Sequence, residues 1–380
     1  MALLAVALLQ ACSTATPPEP PPAPAPVEAP ASAAPAAEPA SAAASEPPPA
    51  SAVAEPPPAA ITGPGRYAER PEVQAFLRDL AARRPALTEA LLQDVLAQAQ
   101  YQPSVARLIM PAATPAAKNW TAYRARFVEP KRVQAGAQFA AANAVTLQAA
   151  EQRWGVPGSI IAAIIGVETF YGRNTGSYRA LDALATLAFD FPSGRSDRSA
   201  FFRDELEALL VLSQREGQPP QRYLGSYAGA LGLPQFMPSS WLRYAVDFDG
   251  DGRIDLHGSA ADAIGSVANF LAEHGWQPGL PTHYGVAPPG PGEALDRLLG
   301  PDIVPSFRAA ELQQLGARLS AAGQQEAGLL ALVELKNGND PSTYVAGTQN
   351  FYVLTRYNRS SYYALSVADL AQAIAAAPRR

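Results

Sequence analysis

The chain has a single cysteine, Cys12, and only three histidines in 380 residues. One thiol excludes an internal disulfide, and it leaves no cysteine cluster for a metal and no Cys nucleophile in the body of the chain. His257, His274 and His283 stand at no ligand spacing, and the first two are expected at the surface or at helix ends. Neither a glycine-rich phosphate loop nor a Ser-His-Asp order is present. Between residues 13 and 63 there is no Lys, Arg or aromatic side chain, whereas proline occurs 16 times. Such a segment cannot bury a core, so residues 13–65 are expected to form an extended, disordered linker. Its five Glu match the whole formal net charge of −5. The remainder is formally neutral, which argues against a general nucleic-acid binder.

Residues 1–12 combine a short apolar run with a small residue and Cys12. The run is too short to span a bilayer and fits a secretory leader. Leu9-Gln10-Ala11-Cys12 resembles a lipobox, in which the cysteine is lipidated and becomes the mature N-terminus. A positively charged stretch before it is missing, as expected if the true start lies upstream. The expectation is a protein tethered to a membrane through a lipid on Cys12, with the linker giving it reach.

From residue 66 the pattern turns helical. Val73, Phe76, Leu77 and Leu80 recur at helical spacing, as do Leu91, Leu92, Val95 and Leu96. One helical stretch is predicted over 134–154, another beginning near Ser159 as cap and ending at Gly172, and others over 204–212, 261–274 and 366–376. Residues 277–294 read as loop or short strands, and 329–336 and 344–352 as β-like runs. The expected fold class is mainly α (α+β), with two or three subdomains around a cleft.

Glu168 closes the run Ile160–Val167, which contains no charged or strongly polar residue. Partial desolvation there disfavours the carboxylate and raises its pKa. A carboxylic acid held protonated near neutrality is what a general acid requires. The plainer alternative is a core helix whose last acid points to solvent. Farther on, the segment 226–241 pairs small residues with neutral hydrogen-bonding groups (Gln235, Ser239, Ser240) and flat rings (Tyr227, Phe236, Trp241). Flat apolar faces with neutral donors suit sugars better than phosphates; the structural alternative is a tight junction capped by Ser239 or Ser240.

Asp247-Phe-Asp249-Gly-Asp251-Gly-Arg253-Ile-Asp255 matches the first nine positions of an EF-hand loop, with the Arg253 carbonyl as the seventh-position ligand. Position twelve is Gly258, so Asp262 is the expected substitute for the usual glutamate. These residues predict a structural Ca²⁺ within a loop spanning 247–262; an Asp/Gly-rich turn without an ion is the alternative.

Several colinear pieces resemble the lytic murein transglycosylase B family, glycoside hydrolase family 103. They are Gly166-Val-Glu168-Thr169, Leu181-Asp-Ala-Leu-Ala-Thr-Leu187, Ala228-Gly-Ala-Leu-Gly232, Gln235-Phe-Met-Pro-Ser-Ser240, Asp262-Ala-Ile-Gly-Ser-Val-Ala-Asn269 and Tyr352-Val-Leu-Thr-Arg-Tyr357-Asn358. The resemblance covers roughly residues 70–375. It implies a catalytic domain over 66–375 with a lysozyme-like core at about 145–275, an added helical subdomain and a small β subdomain. It also implies cleavage of peptidoglycan glycan strands between N-acetylmuramic acid and N-acetylglucosamine, with Glu168 as sole acid and base and a 1,6-anhydromuramyl end as product.

Family correspondence places substrate contacts at Tyr123, Arg198, Ser226, Gln235 and Tyr357. Asp197 before Arg198 departs from the paired basic residues of the family pattern. The resemblance further implies a periplasmic location at the outer membrane, with other cell-wall enzymes as candidate partners. Three other readings remain open at this level: a non-catalytic peptidoglycan-binding scaffold, a calcium-regulated structural protein, and a hydrolysing muramidase using Asp182 or Asp190 as a second carboxylate.

Overall fold

The structure, a computed structural model, describes residues 67–111 and 118–378. The expectations for the leader, for Cys12 and for the linker up to residue 65 lie outside the described residues.

One helix organises the molecule. Gly158–Thr169 buries Ile160, Ile161, Ala162, Ala163, Ile164, Ile165 and Gly166. A helix apolar all round has no solvent face and must sit inside a bundle. Pro130–Ala142, Ala144–Trp154, Ala260–Glu273 and Ser361–Ala376 pack around it. A second group places Ala180–Phe189 against Ser199–Glu216, with Pro103–Leu108 on the former and Pro238–Tyr244 on the latter.

The β subdomain is a four-stranded antiparallel sheet in the order Arg318–Leu319, His283–Ala287, Asp340–Gly347, Ala331–Asn337. It covers a small separate core containing Leu298, Leu312, Leu330 and Leu332. The helix Trp120–Phe127 is pinned to the sheet edge: Thr121 donates its backbone N–H to the buried Asn337 Oδ1 at 3.0 Å. A two-stranded ribbon, Tyr178–Arg179 with Leu224–Gly225, joins the chain just beyond Glu168 to the loop that follows residue 225.

Local expectations needed four corrections. The stretch over 134–154 is two helices, because Asn143 leaves helical geometry and donates its side-chain amide to Phe139 O at 2.9 Å. Ser159 is not a cap: the helix starts at Gly158, whose N–H is taken by Glu151 Oε2 at 3.1 Å. The helix also stops before Gly172, because Phe170 and Tyr171 themselves adopt left-handed φ of 51° and 58°. Finally, the β-like run over 344–352 ends at Gly347, and Thr348 caps a helix, Gln349–Tyr357.

Candidate active site

Glu168 lies in the last turn of the central helix, where the apolar packing that buries the helix also encloses its carboxyl group. The side chain keeps a partly exposed surface but sits deep enough that burial pushes its pKa up to about 7. One hydrogen bond opposes the shift: Tyr363 donates to Glu168 Oε1 at 2.7 Å. Among the described residues no charged group contributes to it.

The turn after Glu168 is held by Thr169. This buried hydroxyl donates to Leu233 O at 2.9 Å and accepts from Gly172 N at 3.1 Å. Two successive non-glycine residues in the left-handed region are costly, and such strain gathers at functional sites. The Thr169 bond also fastens the helix terminus to the 225–236 loop.

That loop carries Gln235, itself at φ 50°. Its amide nitrogen donates to Gly232 O at 2.9 Å and to Thr175 O at 3.1 Å. Both amide protons are thereby engaged, and the amide oxygen is left as the group to meet a ligand. Tyr357 is buried and donates its hydroxyl to Pro234 O at 2.6 Å. Its ring stacks near-parallel to that of Tyr363, centroids 6.3 Å apart. Glu168 raises the pKa of both tyrosines beyond the larger effect of burial, and Tyr123 adds to the rise at Tyr363. Glu168, Tyr363, Tyr357, Tyr123 and the Gln235 loop therefore form one neighbourhood.

Ser226 and Arg198 stand at its margins. Ser226 Oγ accepts from Ala230 N at 3.1 Å and so shapes the loop from within. The Arg198 guanidinium lies 4.6 Å from the Phe201 ring centroid. Asp197 accepts from Ser199 N at 2.8 Å and from the Ser199 hydroxyl at 3.1 Å, at the start of the next helix. Its presence beside Arg198 is thus a local helix-start device.

Other residues expected near the sugar have different roles. Trp241 is 1% exposed and Phe236 2% exposed, so both rings are core packing. Phe236 lies against Phe270 and Tyr357. Ser239 binds the buried Glu205, donating from N at 2.9 Å and from Oγ at 2.6 Å, which fixes the start of the Pro238–Tyr244 helix. The two rival carboxylates are also committed. Asp182 accepts from Gln100 N at 3.0 Å, and Asp190 accepts from Tyr67 Oη at 2.7 Å and pairs with Arg70 at 2.8 Å.

In the acidic loop, Asp247, Asp249 and Asp262 bring carboxylate oxygens within 4.8 Å of one another. Buried Asp262 accepts Phe248 N at 2.8 Å and Asp255 N at 2.7 Å, reaching back into the loop as the missing twelfth-position glutamate would. Asp251 and Asp255 do not join this cluster. Asp251 accepts from Arg253 N, and Asp255 from His257 N and Gly258 N. Three converging carboxylates in a loop with left-handed turns at Gly250 and Gly252 are hard oxygen donors of the kind Ca²⁺ takes.

A family model described as the transglycosylase SLT domain matches residues 68–372. The membrane-bound lytic murein transglycosylase B of Escherichia coli (strain K12) is 39% identical over 327 residues, covering 82% of this chain and 85% of that protein. The chain belongs to the lytic murein transglycosylases. Among solved structures, the soluble lytic transglycosylase SltB1 of Pseudomonas aeruginosa superposes with a TM-score of 0.73 at 39% identity, covering 80% of this chain and 98% of that one. The Escherichia coli lytic transglycosylase Slt35 in complex with calcium gives 0.71 at 37% identity, covering 81% and 94%. SltB3 of Pseudomonas aeruginosa in complex with NAG-anhNAM-pentapeptide gives 0.66 at 30% identity, covering 80% and 78%.

This lytic transglycosylase therefore has the lysozyme-like fold of its relatives, and it is an enzyme. Among its described residues no helix is long and apolar enough to cross a membrane. The residue that sequence reading missed in this transglycosylase is Tyr363. Its only local signal is the Tyr362-Tyr363 pair opening an apolar helix, 195 positions from the acid it serves.

Proposed function

We propose that this lytic transglycosylase cleaves peptidoglycan glycan strands at the N-acetylmuramic acid–N-acetylglucosamine β-1,4 bond, with Glu168 as its sole acid and base. The observation carrying the reading is a carboxyl group pushed up to about 7 by burial, with Tyr363 on one oxygen and no charged neighbour shifting it. Near neutrality a large share of Glu168 is protonated, and it gives that proton to the glycosidic oxygen as the bond to C1 breaks. The carboxylate then takes the proton of the muramyl 6-hydroxyl while that oxygen bonds to C1. Glu168 ends protonated again, no water is consumed, and the product ring is the 1,6-anhydro form. Attack from within the same ring is effectively intramolecular, which favours it over bulk water.

Tyr123, Arg198, Ser226, Gln235 and Tyr357 are assigned to substrate contact. The Gln235 amide oxygen suits a sugar hydroxyl or amide N–H, and Arg198 suits a carboxylate of the muramyl group or its peptide. Asp247, Asp249 and Asp262 are assigned as carboxylate ligands of a structural Ca²⁺, joined by the Arg253 carbonyl and, through rotation of their side chains, by Asp251 and Asp255. The ion supplies positive charge that offsets carboxylate repulsion and stiffens the loop. Residues 66–375 are assigned as the catalytic domain, residues 13–65 as its tether, and Cys12 as the lipid attachment holding the enzyme at the outer membrane in the periplasm.

The test is mass spectrometry of purified sacculi digested by the protein. Fragments lighter by one water than the corresponding lysozyme fragments are expected. Predominantly reducing muramic acid ends would instead show hydrolysis.

A further inference from the structure

Behind the Glu168 turn, the helix Pro130–Ala142 carries Arg132, Gly136 and Phe139 at the three- and four-residue spacing that puts them on one face. All three meet the strained pair Phe170–Tyr171. The Arg132 guanidinium lies 4.9 Å from the Phe170 ring centroid. The Phe139 and Tyr171 ring centroids are 5.4 Å apart. The Tyr171 hydroxyl fills a slot left open by two glycines, since a Cβ would stand 2.3 Å from it at Gly136 and 2.4 Å from it at Gly166. That hydroxyl has no hydrogen-bond partner among the described residues, so shape rather than a polar contact holds it.

Arg132 is only 3% exposed, and a buried cation is costly unless it is paired. Glu129 favours the cation by charge alone. Its two carboxylate oxygens cap the helix instead, accepting from Lys131 N at 2.6 Å and Arg132 N at 2.9 Å. The Arg132 Nε–H is unmatched among the described residues. What holds the guanidinium is two rings and a helix end. Besides Phe170, it lies 5.2 Å from the Phe127 ring centroid and donates to Arg126 O. Aromatic faces attract a cation most strongly away from water, and the last carbonyls of the Trp120–Phe127 helix attract it as well.

These contacts reach two sides of the site. Phe127 lies against Tyr123 on the Trp120–Phe127 helix, with ring centroids 5.1 Å apart. Phe170 follows Glu168 by two residues and carries the left-handed φ of 51°. Arg132 therefore spans the helix that bears Tyr123 and the turn that follows Glu168. The exposed Arg173 also lies 5.0 Å from the Phe170 centroid, but it belongs to that same turn.

We propose that Arg132 is a positioning residue of the reaction: held between Phe127 and Phe170, it fixes the placement of Tyr123 relative to Glu168. The proposal rests on the roles assigned to those two residues above. A misplacement of about 1 Å costs about 10²-fold in rate, so a loosened clamp lowers turnover more than binding.

Kinetics of the full-length protein on soluble glycan strands test this, at a temperature well below the melting point of each variant. Arg132→Met keeps an unbranched apolar stem and removes the charge, and kcat should fall about tenfold to a hundredfold. Glycan affinity, measured in a Glu168→Gln background so that no strand is cut, should change by less than about threefold. Phe170→Leu should slow turnover similarly, whereas Phe170→Tyr keeps the ring and should not. The Arg132→Met/Phe170→Leu double variant should lose little beyond either change alone, because both remove one shared contact.

An unchanged kcat in folded Arg132→Met, a loss confined to glycan affinity, or losses that multiply in the double variant overturns the proposal. Phe170→Tyr as slow as Phe170→Leu overturns it too, and that contrast decides the matter if Arg132→Met fails to fold. Lysis by Glu168→Gln reports on the acid separately. Its loss beside an unaffected Arg132→Met overturns the clamp and leaves the acid standing.

Discussion

Tyr363 donates its hydroxyl proton to Glu168 Oε1 at 2.7 Å, so a group on the C-terminal helix sets the acidity of a group on the central one. The bond favours the carboxylate and opposes the burial that favours the acid. Tyr363→Phe should raise the Glu168 pKa, moving the alkaline limb of the kcat/KM profile up by about one pH unit. An unmoved limb would show that Tyr363 does not govern the titrating acid.

Glu168→Gln should fold normally and lose lytic activity by about 10²–10⁴-fold, the usual worth of general acid–base help. Gln keeps the shape and loses the proton. Retention of more than about a tenth of wild-type activity would place the acid elsewhere.

The same substitution should change stability in a pH-dependent way. A carboxyl whose folded pKa is raised binds more protons folded than unfolded between its ordinary value of 4.5 and about 7. Stability from this group therefore falls as pH rises through that window and stays low above it. Glu168→Gln should lie closest to wild type near pH 4 and be the more stable protein above pH 7. Denaturant midpoints at the two pH values check it, and a constant difference between the proteins would contradict the linkage.

Calcium should raise the melting temperature, because a ligand that binds only the folded state stabilises it by about 2.7 kcal/mol at a hundred times its Kd. Asp249→Asn, in the three-carboxylate cluster, should abolish most of the rise. Asp251→Ala should also remove it, leaving residual activity at low temperature. Identical wild-type melting with calcium and with chelator at matched ionic strength would remove the site.

Gly166→Ala should destabilise, although alanine is ordinarily the better helix former. A Cβ at 166 would lie 2.4 Å from Tyr171 Oη, in the strained turn beside Glu168. Overpacking of this kind costs about 1–3 kcal/mol and should also lower activity by displacing that turn. Thermal unfolding and lysis rates measured on the same preparation check both effects.

Much of this protein was legible locally. The apolar run before Glu168 dictated a buried helix, because a segment without a polar face has only the interior to occupy, and the carboxyl at its end inherited the desolvation. The convergence of Asp247, Asp249 and Asp262 was also readable, since it is set by spacing along one short segment, whereas Asp251 and Asp255 turn to local backbone partners. Long-range packing decided the rest. Trp241 and Phe236 looked like sugar platforms, and only the folded chain shows them filling the core. Asp182 and Asp190 stood as second-carboxylate alternatives, with a structural hydrogen bond the expected role of Asp182, and the fold brings Gln100, Tyr67 and Arg70 from the N-terminal segment to occupy them. Tyr363 carried almost no local signal, because a hydrogen bond between residues 195 apart depends on how two helices pack against each other. Sequence marked the candidate groups; tertiary structure decided which are enclosed together and which are committed elsewhere, because hydrogen-bond partners and burial come from packing across the whole chain.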